Sequence, residues 1–339
     1  MKQVWLARAG GKGEREDFLI EVGATGSGWE SIPDLSKAGS FDDVRKIVES
    51  VWPDESQNRI GNWAGQLWSF RGVMQPGDLV LMPRKGLGVI SIGVITGPYR
   101  YDASEDPARR HLRSVDWKVL DAPRMAFGQD LRWSLGSLMT FCRVQRERAA
   151  ERIEALMAGR PDPGAFSTDG PVDALEEPDI ESVAEVSIQE MIRHRFPGHD
   201  LSALVEEVLK ANGYETRLSP PGPDQGVDVL AARGGLGFEG PRIAVQVKNT
   251  GSAQGVPALN ELLGAQSAFG ADRALFVSWA GFTSEAARMA RTKWFELRLW
   301  SADELVHEIT AAYDQLPEVL RAKLPLKQVW TVATDEDGS

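Results

Sequence analysis

Three side chains in the second half of the sequence have the types needed to hydrolyse a phosphodiester. Asp228 opens an apolar run, and a second apolar run, after a glycine-rich turn, ends in Gln246-Val247-Lys248. Residues two apart in a strand lie on the same face, so Gln246 and Lys248 share a face of the second run. If the two runs pair as a hairpin, the acid, the amide and the amine meet at one end of it.

These side chains suit catalysis with a divalent metal ion. A hard cation takes oxygen ligands such as the Asp228 carboxylate and the Gln246 carbonyl, and a backbone carbonyl near Val247 can complete the set. The cation lowers the pKa of a bound water, and the Lys248 side chain can position or deprotonate that water or offset charge on the phosphate. The competing interpretation is a surface ion pair between a turn aspartate and a strand-end lysine, because charged strand ends are common.

The wider pattern resembles the Mrr-like branch of the PD-(D/E)xK nuclease superfamily over residues 201–305. The matching segments, in order, are residues 209–214, 224–228, 246–248, 260–264, 274–278 and 281–286. The resemblance implies an α/β sandwich with a central mixed sheet. It also implies Mg2+-dependent cleavage of double-stranded DNA, which in this family often carries modified bases.

By position, the resemblance implies roles for the three chemical side chains. Asp228 is the metal ligand, Gln246 takes the place usually filled by a glutamate, and Lys248 is the catalytic lysine. Asp224, in the turn before Asp228, either supports the site from behind the metal ligands or only shapes the turn with Gly226.

One departure from the family pattern concerns the first helix of the nuclease domain. That helix often opens with Phe-Glu, whose glutamate supports the metal, whereas Leu201-Ser202 stands here. Glu206 lies one turn later on the same side of the helix as Ser202 and is the candidate replacement ligand. A solvated helix glutamate is the competing interpretation.

Composition narrows the class of protein. A length of 339 residues, 42% hydrophobic residues and 11 tryptophans predict two folded domains, possibly with a linker. The single cysteine, Cys142, excludes a disulfide framework and a cysteine-rich zinc site, and the four histidines show no metal-ligand spacing. No signal peptide opens the chain and no apolar run approaches the length of a membrane span, so we expect a cytoplasmic protein without a membrane partner.

The net charge of −11 is unusual for a protein that binds nucleic acid. Residues 158–200 carry ten acidic and three basic residues, and the C-terminal tail is acidic too. Much of the negative charge therefore falls outside the two predicted domains. The overall charge by itself is mild evidence against DNA binding.

Residues 1–140 alternate short apolar runs with turns. The alternation over residues 18–22 predicts a strand, while Ser40 begins a helix that ends at about Trp52, before Pro53. A second helix is predicted over residues 58–70. The order of these elements and of the strands that follow resembles the PUA-like/EVE group, which implies a small β-barrel with helices. Some members of this group sit at the front of modification-dependent restriction enzymes and hold a flipped, modified base in an aromatic pocket.

Aromatic residues near turns are the candidates for such a pocket, because a flipped base needs flat apolar walls and polar groups that read its edge. Trp29 follows a glycine-rich loop and is the first choice, and Trp68 is the second. Asp34 could read an amino edge or simply sit in a turn. Core packing is the competing interpretation for each tryptophan, and Trp63 and Phe70 on a helical stripe are expected to be core.

Together these observations predict a two-domain chain that combines α+β and α/β architecture. Residues 1–157 form the recognition domain with a trailing helix, 158–178 a linker, 179–332 the nuclease domain and 333–339 a disordered tail. The predicted function is that of a Mg2+-dependent restriction-type DNA endonuclease. A homodimer is expected because one site cuts one strand. The alternatives are a DNA-binding protein on a nuclease scaffold that no longer cuts, and a repair or structure-specific nuclease.

Overall fold

The computed structural model describes residues 2–137, 139–164, 180–220 and 226–329, and these residues build two sheets. We call residues 2–164 the front unit and residues 180–329 the rear unit. The predicted tail, 333–339, and Asp224 lie outside the described residues. Among the residues described, no helix combines the length and apolar character needed to cross a bilayer.

The front unit contains a six-stranded mixed sheet in the order β2-β5-β4-β3-β1-β6. Its strands are β1 (Val4–Ala7), β2 (Ala24–Ser27), β3 (Leu79–Arg84), β4 (Val89–Tyr101), β5 (His111–Pro123) and β6 (Phe141–Arg143). Strands β1 and β3 pair in parallel, and the other neighbours are antiparallel.

The closed barrel that the PUA-like resemblance implied is not formed by the described strands. The sheet ends in β2 and β6, which are four and three residues long and do not pair with each other. Register shifts in the β4–β5 hairpin curve the sheet, as β-bulges do, without closing it. The front unit is therefore an open mixed sheet with helices, and its PUA-like relationship stays a prediction.

The front helices are α1 (Glu16–Glu21), α2 (Phe41–Val51), α3 (Gln57–Trp68), α4 (Gln129–Leu135) and α5 (Ala149–Met157). The predicted helix start at Ser40 is confirmed, since its hydroxyl accepts a hydrogen bond from the Asp43 N–H. The strand predicted over residues 18–22 is wrong, because these residues lie in and just after α1. A short apolar run does not distinguish a strand from a helix turn, and here Leu19 alone is buried among them.

The rear unit contains a five-stranded mixed sheet in the order β11-β10-β9-β8-β7. Its strands are β7 (Glu215–Leu218), β8 (Val229–Arg233), β9 (Glu239–Lys248), β10 (Arg273–Ser278) and β11 (Leu297–Trp300). Its helices are α6 (Ile180–Arg195), α7 (Asp200–Ala211), α8 (Val256–Ala268), α9 (Ser284–Thr292), α10 (Ala302–Ala311) and α11 (Glu318–Lys323). Helices α6, α7 and α10 pack on one face and α8 and α9 on the other, so the predicted sandwich with a central mixed sheet is confirmed.

The predicted linker begins as packed structure. The Asp162 carboxylate is buried and accepts hydrogen bonds from the Arg152 guanidinium at 2.7 and 2.8 Å and from the Gly128 N–H at 2.8 Å. Residues 158–164 therefore belong structurally to the front unit, and residues 165–179 lie outside the described residues.

The two units touch at the end of β3. The Arg84 side chain is 2% exposed and donates to Glu16 at 2.8 Å and to Asp17 at 2.9 Å, both in the front unit. It also donates to the Ser284 hydroxyl of the rear unit at 3.0 Å. A buried guanidinium needs such partners, because a charge without them is costly to remove from water.

A second contact between the units centres on Asp303 of α10. Arg124 of the front unit donates to the Asp303 carboxylate at 3.3 Å, and Gln189 of α6 donates to it at 2.6 Å. Burial and the nearby negative charge of Asp303 raise the pKa of Glu185, also on α6, to about 7. Glu185 therefore holds a proton in the folded chain at pH values where an unfolded glutamate has lost it.

This shift predicts a pH-dependent stability. Between the ordinary glutamate pKa of 4.5 and about 7, the folded chain binds more protons than the unfolded chain, so stability falls as the pH rises. We expect the free energy of unfolding to fall by about 1–3 kcal/mol across this window because of Glu185. The Glu185→Gln variant should lack this pH-dependent fall. Urea unfolding at several pH values measures the difference. Glu181→Gln, at an exposed position of the same helix, is the matched control. Equal pH slopes for wild type and Glu185→Gln would contradict the prediction.

Candidate active site

The start of β8 and the end of β9 meet at one end of the rear sheet, because these strands are antiparallel neighbours. Asp228 directly precedes β8, and its N–H donates to the Val245 carbonyl at 2.8 Å. The Asp228 carbonyl in turn accepts from the Ser219 N–H at 2.8 Å. These bonds fix the backbone of Asp228 against the last residues of β9, as the predicted hairpin requires.

The Asp228 carboxylate links three elements. One oxygen accepts a hydrogen bond from the Val247 N–H of β9 at 2.8 Å, and the other accepts from the Ser202 hydroxyl of α7 at 3.3 Å. Asp228 thus contacts Val245 through its backbone and Val247 through its side chain, and these two residues flank Gln246. A carboxylate that accepts such hydrogen bonds is held in one orientation.

Gln246 points away from its strand neighbours. Val245 and Val247 join the core under α7 and α10, whereas the flanking Ala244 joins the core under α8 and α9, as the alternation of a strand predicts. The Gln246 side chain lies on this second side, next to Gly226, where an added Cβ would stand 3.7 Å from the Gln246 Nε2.

The carbonyl oxygen of Gln246 is the unusual atom of the site. Gln246 is 3% exposed, and its Oε1 is buried without a hydrogen-bond partner among the described residues. Leaving such an acceptor unsatisfied costs about 1–3 kcal/mol. Such a carbonyl oxygen and the oriented Asp228 carboxylate are both of the ligand type that a hard divalent cation takes.

Lys248 is half-buried at the last position of β9, opposite Ser278 of β10. The Trp279 N–H donates to its carbonyl at 3.0 Å, which anchors the backbone. In the part of the chain that the structure describes, the Lys248 ammonium forms no hydrogen bond or ion pair. The amine is therefore positioned by its strand and remains available to a ligand.

Glu206 is not brought to Asp228. Its carboxylate accepts from the Thr216 hydroxyl at 2.9 Å and pairs with Lys210 at 3.3 Å, while Ser202 is the residue of α7 that contacts Asp228. Its role as metal ligand stays a prediction without a supporting contact. Among the described residues, no group of three histidine, cysteine or carboxylate side chains gathers as a metal site.

Three tryptophans of the front unit form a cluster of indole rings. Trp29 lies 6.4 Å from Trp52 and 6.1 Å from Trp63 between ring centroids, and Trp52 lies 4.8 Å from Trp63. All three are half-buried, and the Arg59 guanidinium lies 5.4 Å from the Trp63 ring centre. The sequence indicated Trp29 as a candidate for a base pocket, did not indicate Trp52, and predicted Trp63 to be core.

Trp68 and Asp34 lie elsewhere in the front unit. The Trp68 ring packs on the Gly72 backbone, where an added Cβ would stand 2.5 Å from it. Asp34 accepts from the Ser36 N–H at 2.8 Å in its own turn. Partial burial acts to raise the pKa of Asp34, but the hydrogen bonds from Ser36 outweigh it and hold that pKa below its ordinary value.

A buried network that the sequence did not indicate fixes the turn of Asp34. The Leu35 N–H donates to the Tyr99 hydroxyl at 3.1 Å, and that hydroxyl bonds the His111 Nδ1 at 2.9 Å. The other ring nitrogen bonds the Ile32 carbonyl at 3.0 Å, so His111 carries its proton on Nε2. Burial lowers the pKa of His111, which keeps the ring neutral and the network intact.

Two cavities, of about 420 and 430 Å³, open on the rear unit away from these residues. The first is lined by residues of β7, β8 and the β8–β9 turn, and the second by the start of β10 and by Trp294 and Phe295 before β11. Neither is lined by Asp228, Gln246 or Lys248. The catalytic candidates are therefore identified by their chemistry, not by a cavity.

Two family models match the chain. Residues 193–309 match a family described as restriction endonuclease, Mrr_cat. Residues 4–132 match a domain of unknown function, DUF8426. No curated protein matches the chain.

Three solved structures show a limited likeness. A protein of unknown function, AF1548, is 22% identical, with 38% of this chain and 78% of that chain covered and a TM-score of 0.25. The DNA modification-dependent restriction endonuclease AspBHI is 14% identical, with 89% and 79% covered and a TM-score of 0.32. The MspJI restriction endonuclease in complex with a 27-mer oligonucleotide is 14% identical, with 80% and 70% covered and a TM-score of 0.33.

All three TM-scores lie below 0.5, so the assignment depends on the family match. That match spans α7, β8, β9 and the strand-and-helix units that follow, and it includes Asp228, Gln246 and Lys248. Residues 193–309 therefore form a domain that matches the restriction endonuclease family Mrr_cat, and this match indicates a DNA endonuclease.

Proposed function

We propose that the rear unit hydrolyses DNA phosphodiesters with Mg2+ held by Asp228 and Gln246 and with Lys248 acting on the attacking water. The proposal is supported by the Gln246 Oε1, which is buried without a hydrogen-bond partner among the described residues, and by the Asp228 carboxylate, which is held by the N–H of Val247, the residue after Gln246. Restriction endonucleases generally use a divalent metal ion, and these two side chains offer the oxygens it would need.

Each residue has a separate task in this proposal. Bound Mg2+ supplies Lewis-acid stabilisation of the scissile phosphate and lowers the pKa of a coordinated water. Asp228 and Gln246 hold the ligand oxygens in place through the backbone of β9. The Lys248 ammonium orients the attacking water and offsets the negative charge that develops on the phosphate.

Loss of the lysine should abolish cleavage. We expect Lys248→Ala to cleave supercoiled plasmid with Mg2+ about 100-fold more slowly than wild type, or worse, because it removes the group that positions the water. Lys293→Ala, which removes an equal charge from an exposed ion pair of the rear unit, should cleave as wild type does. Gel analysis of nicked and linear plasmid measures both, and equal nicking by wild type and Lys248→Ala would rule out the assigned lysine.

Metal binding tests the ligands directly. We expect calorimetry to show Mg2+ or Mn2+ binding that weakens about tenfold or more in Asp228→Asn and tightens in Gln246→Glu, because the ligand charge changes in opposite directions.

The alternative is a DNA-binding protein that no longer cuts. Gln246 and Ser202 both stand where a family glutamate is expected, and Glu206 is engaged by Thr216 and Lys210. DNA binding without any metal-binding heat in the same calorimetric series would favour this alternative.

For the front unit we propose recognition of a modified base by the cluster of Trp29, Trp52 and Trp63. These half-buried indoles present flat apolar faces, and Trp29 comes from a loop while the other two come from helix α3 and the end of α2. A base taken out of the stack binds by stacking between such faces. Asp34 and Trp68 remain secondary candidates, since neither contacts the cluster in the structure.

Removal of Trp29 should weaken binding of modified DNA selectively. We expect Trp29→Ala to cost about 1–3 kcal/mol for duplexes with a methylated cytosine or adenine, and much less for unmodified duplexes. Fluorescence anisotropy without metal measures both affinities. Trp294→Ala changes an exposed tryptophan of the rear unit and is the control. An equal loss on modified and unmodified DNA would contradict base recognition by this cluster.

The substrate geometry suggests two copies of the chain. One Asp228–Gln246–Lys248 site cleaves one strand, so a double-strand break requires a homodimer or two successive events. The homodimer stays a prediction, and the ratio of nicked to linear plasmid at increasing protein concentration tests it.

A further inference from the structure

The segment that follows β10, residues 279–284, lies next to Lys248, and we call it the bridge segment. Its first residue, Trp279, donates its N–H to the Lys248 carbonyl at 3.0 Å. The residue before it, Ser278, pairs with Lys248 across β9 and β10, and the Ser278 hydroxyl donates to the Gly281 carbonyl at 2.8 Å. The bridge segment is thereby tied to the strand end that carries the lysine.

The same segment holds the loop that follows Lys248. The Gln254 N–H donates to the Gly281 carbonyl at 2.9 Å, and the Thr283 N–H donates to the Gln254 carbonyl at 3.0 Å. Gln254 and Phe282 form an isolated parallel bridge. Loop residues 249–255 are therefore ordered by the bridge segment and not by a regular sheet.

On its opposite side, the bridge segment contacts the front unit through main-chain atoms. The Phe282 N–H donates to the Leu87 carbonyl in the β3–β4 turn at 2.9 Å. Gly281 has a φ of +81°, and an added Cβ would lie 2.1 Å from the Leu87 oxygen. Gly88 lies against Gly281 as well, since its own added Cβ would lie 3.3 Å from the Gly281 Cα. Only glycine allows both the conformation and the approach.

Side chains of the front unit fix the end of the bridge segment. The Asp121 carboxylate accepts from the Ser284 N–H at 3.1 Å and from the Ser284 hydroxyl at 2.8 Å. Arg84 donates to the same hydroxyl at 3.0 Å. Ser284 is the first residue of α9 after its N-cap Thr283, so an acid and a base of the front unit hold the start of this helix.

We propose that the front unit positions Lys248 and the loop after it through the bridge segment, with Gly281 as the positioning residue. The inference rests on the proposed role of Lys248. Docking of the β3–β4 turn fixes Gly281 and Phe282, and Gly281 in turn binds Gln254 and the Ser278 hydroxyl, while Trp279 of the same segment binds the Lys248 carbonyl. Cleavage then depends on the contact between the units, although the front unit contributes no catalytic side chain.

The test compares variants of the full chain. Gly281→Ala adds a methyl group against the Leu87 oxygen, Asp121→Ala removes the anchor of Ser284, and Gly264→Ala is the control, because an added Cβ there meets nothing within 4 Å. Three quantities are measured for each. They are the single-turnover cleavage rate on plasmid DNA, the affinity for the same DNA without metal, and amide hydrogen exchange in residues 249–255.

We expect Gly281→Ala to cleave at least about tenfold more slowly, with DNA affinity within about twofold of wild type and faster exchange in residues 249–255. Asp121→Ala should show the same pattern to a smaller degree, and Gly264→Ala should match wild type. A merely structural role would lower thermal stability without this selective rise in exchange. If Gly281→Ala does not fold, Asp121→Ala decides in its place.

Two results would overturn the inference. The first is a folded Gly281→Ala and an Asp121→Ala that both cleave DNA and exchange amides in residues 249–255 as wild type does. The second is a loss of DNA affinity large enough to account for the lower cleavage rate. Lys248→Ala separates this failure from failure of the proposed function. If Lys248→Ala is inactive and the interface variants are fully active, only the inference falls. If Lys248→Ala cleaves as wild type does, both fall.

Discussion

The hydrogen bond from the Val247 N–H to the Asp228 carboxylate is the contact on which the rest of the rear unit depends. It fixes an acid from the start of β8 to the end of β9, and Ser202 adds α7 to the same carboxylate. The fold therefore does not need a cluster of acids to orient this group. Because the carboxylate holds two backbone elements and a helix at once, its orientation is set by the sheet itself. Among the described residues, the Gln246 Oε1 is left buried without a hydrogen-bond partner in this arrangement.

The parts of the site that follow from local periodicity could be predicted from the sequence. Strand alternation alone separates Gln246 and Lys248 from Val245 and Val247, and the glycine-rich turn alone pairs β8 with β9. The position of Glu206 could not be predicted in this way. Ser202 and Glu206 share a helix face, yet the angle at which α7 crosses the sheet turns one to Asp228 and the other to Thr216. That angle depends on how apolar side chains pack across the whole core, which spacing does not encode.

The front unit shows the same division between local and distant effects. Ser40 and the residues after it identify a helix start by their own chemistry. Barrel closure depends on whether two edge strands reach each other, and β2 and β6 are too short and too far apart in the sheet order to do so. The sequence does not indicate that Trp52 is a partner of Trp29. Trp52 follows the end of α2 and meets the other rings only after α2 and α3 pack together. Surfaces that form only when helices pack together are thus the hardest to predict from a sequence.

The charge of the proposed metal site has a consequence for how the rear unit engages DNA. Among the described residues, Asp228 is the one carboxylate at the site, since Gln246 and Ser202 are neutral and Glu206 pairs with Lys210. In the proposed site, this carboxylate would balance half of the charge of a divalent cation, and a DNA phosphate would offer further negative charge. Binding of cation and DNA must then be mutually favourable, and each must raise the affinity for the other by the same factor. A glutamate at position 246 would weaken this coupling, because the site would hold its cation before DNA arrives. If the proposed site is correct, the glutamine would make cation binding depend on the substrate.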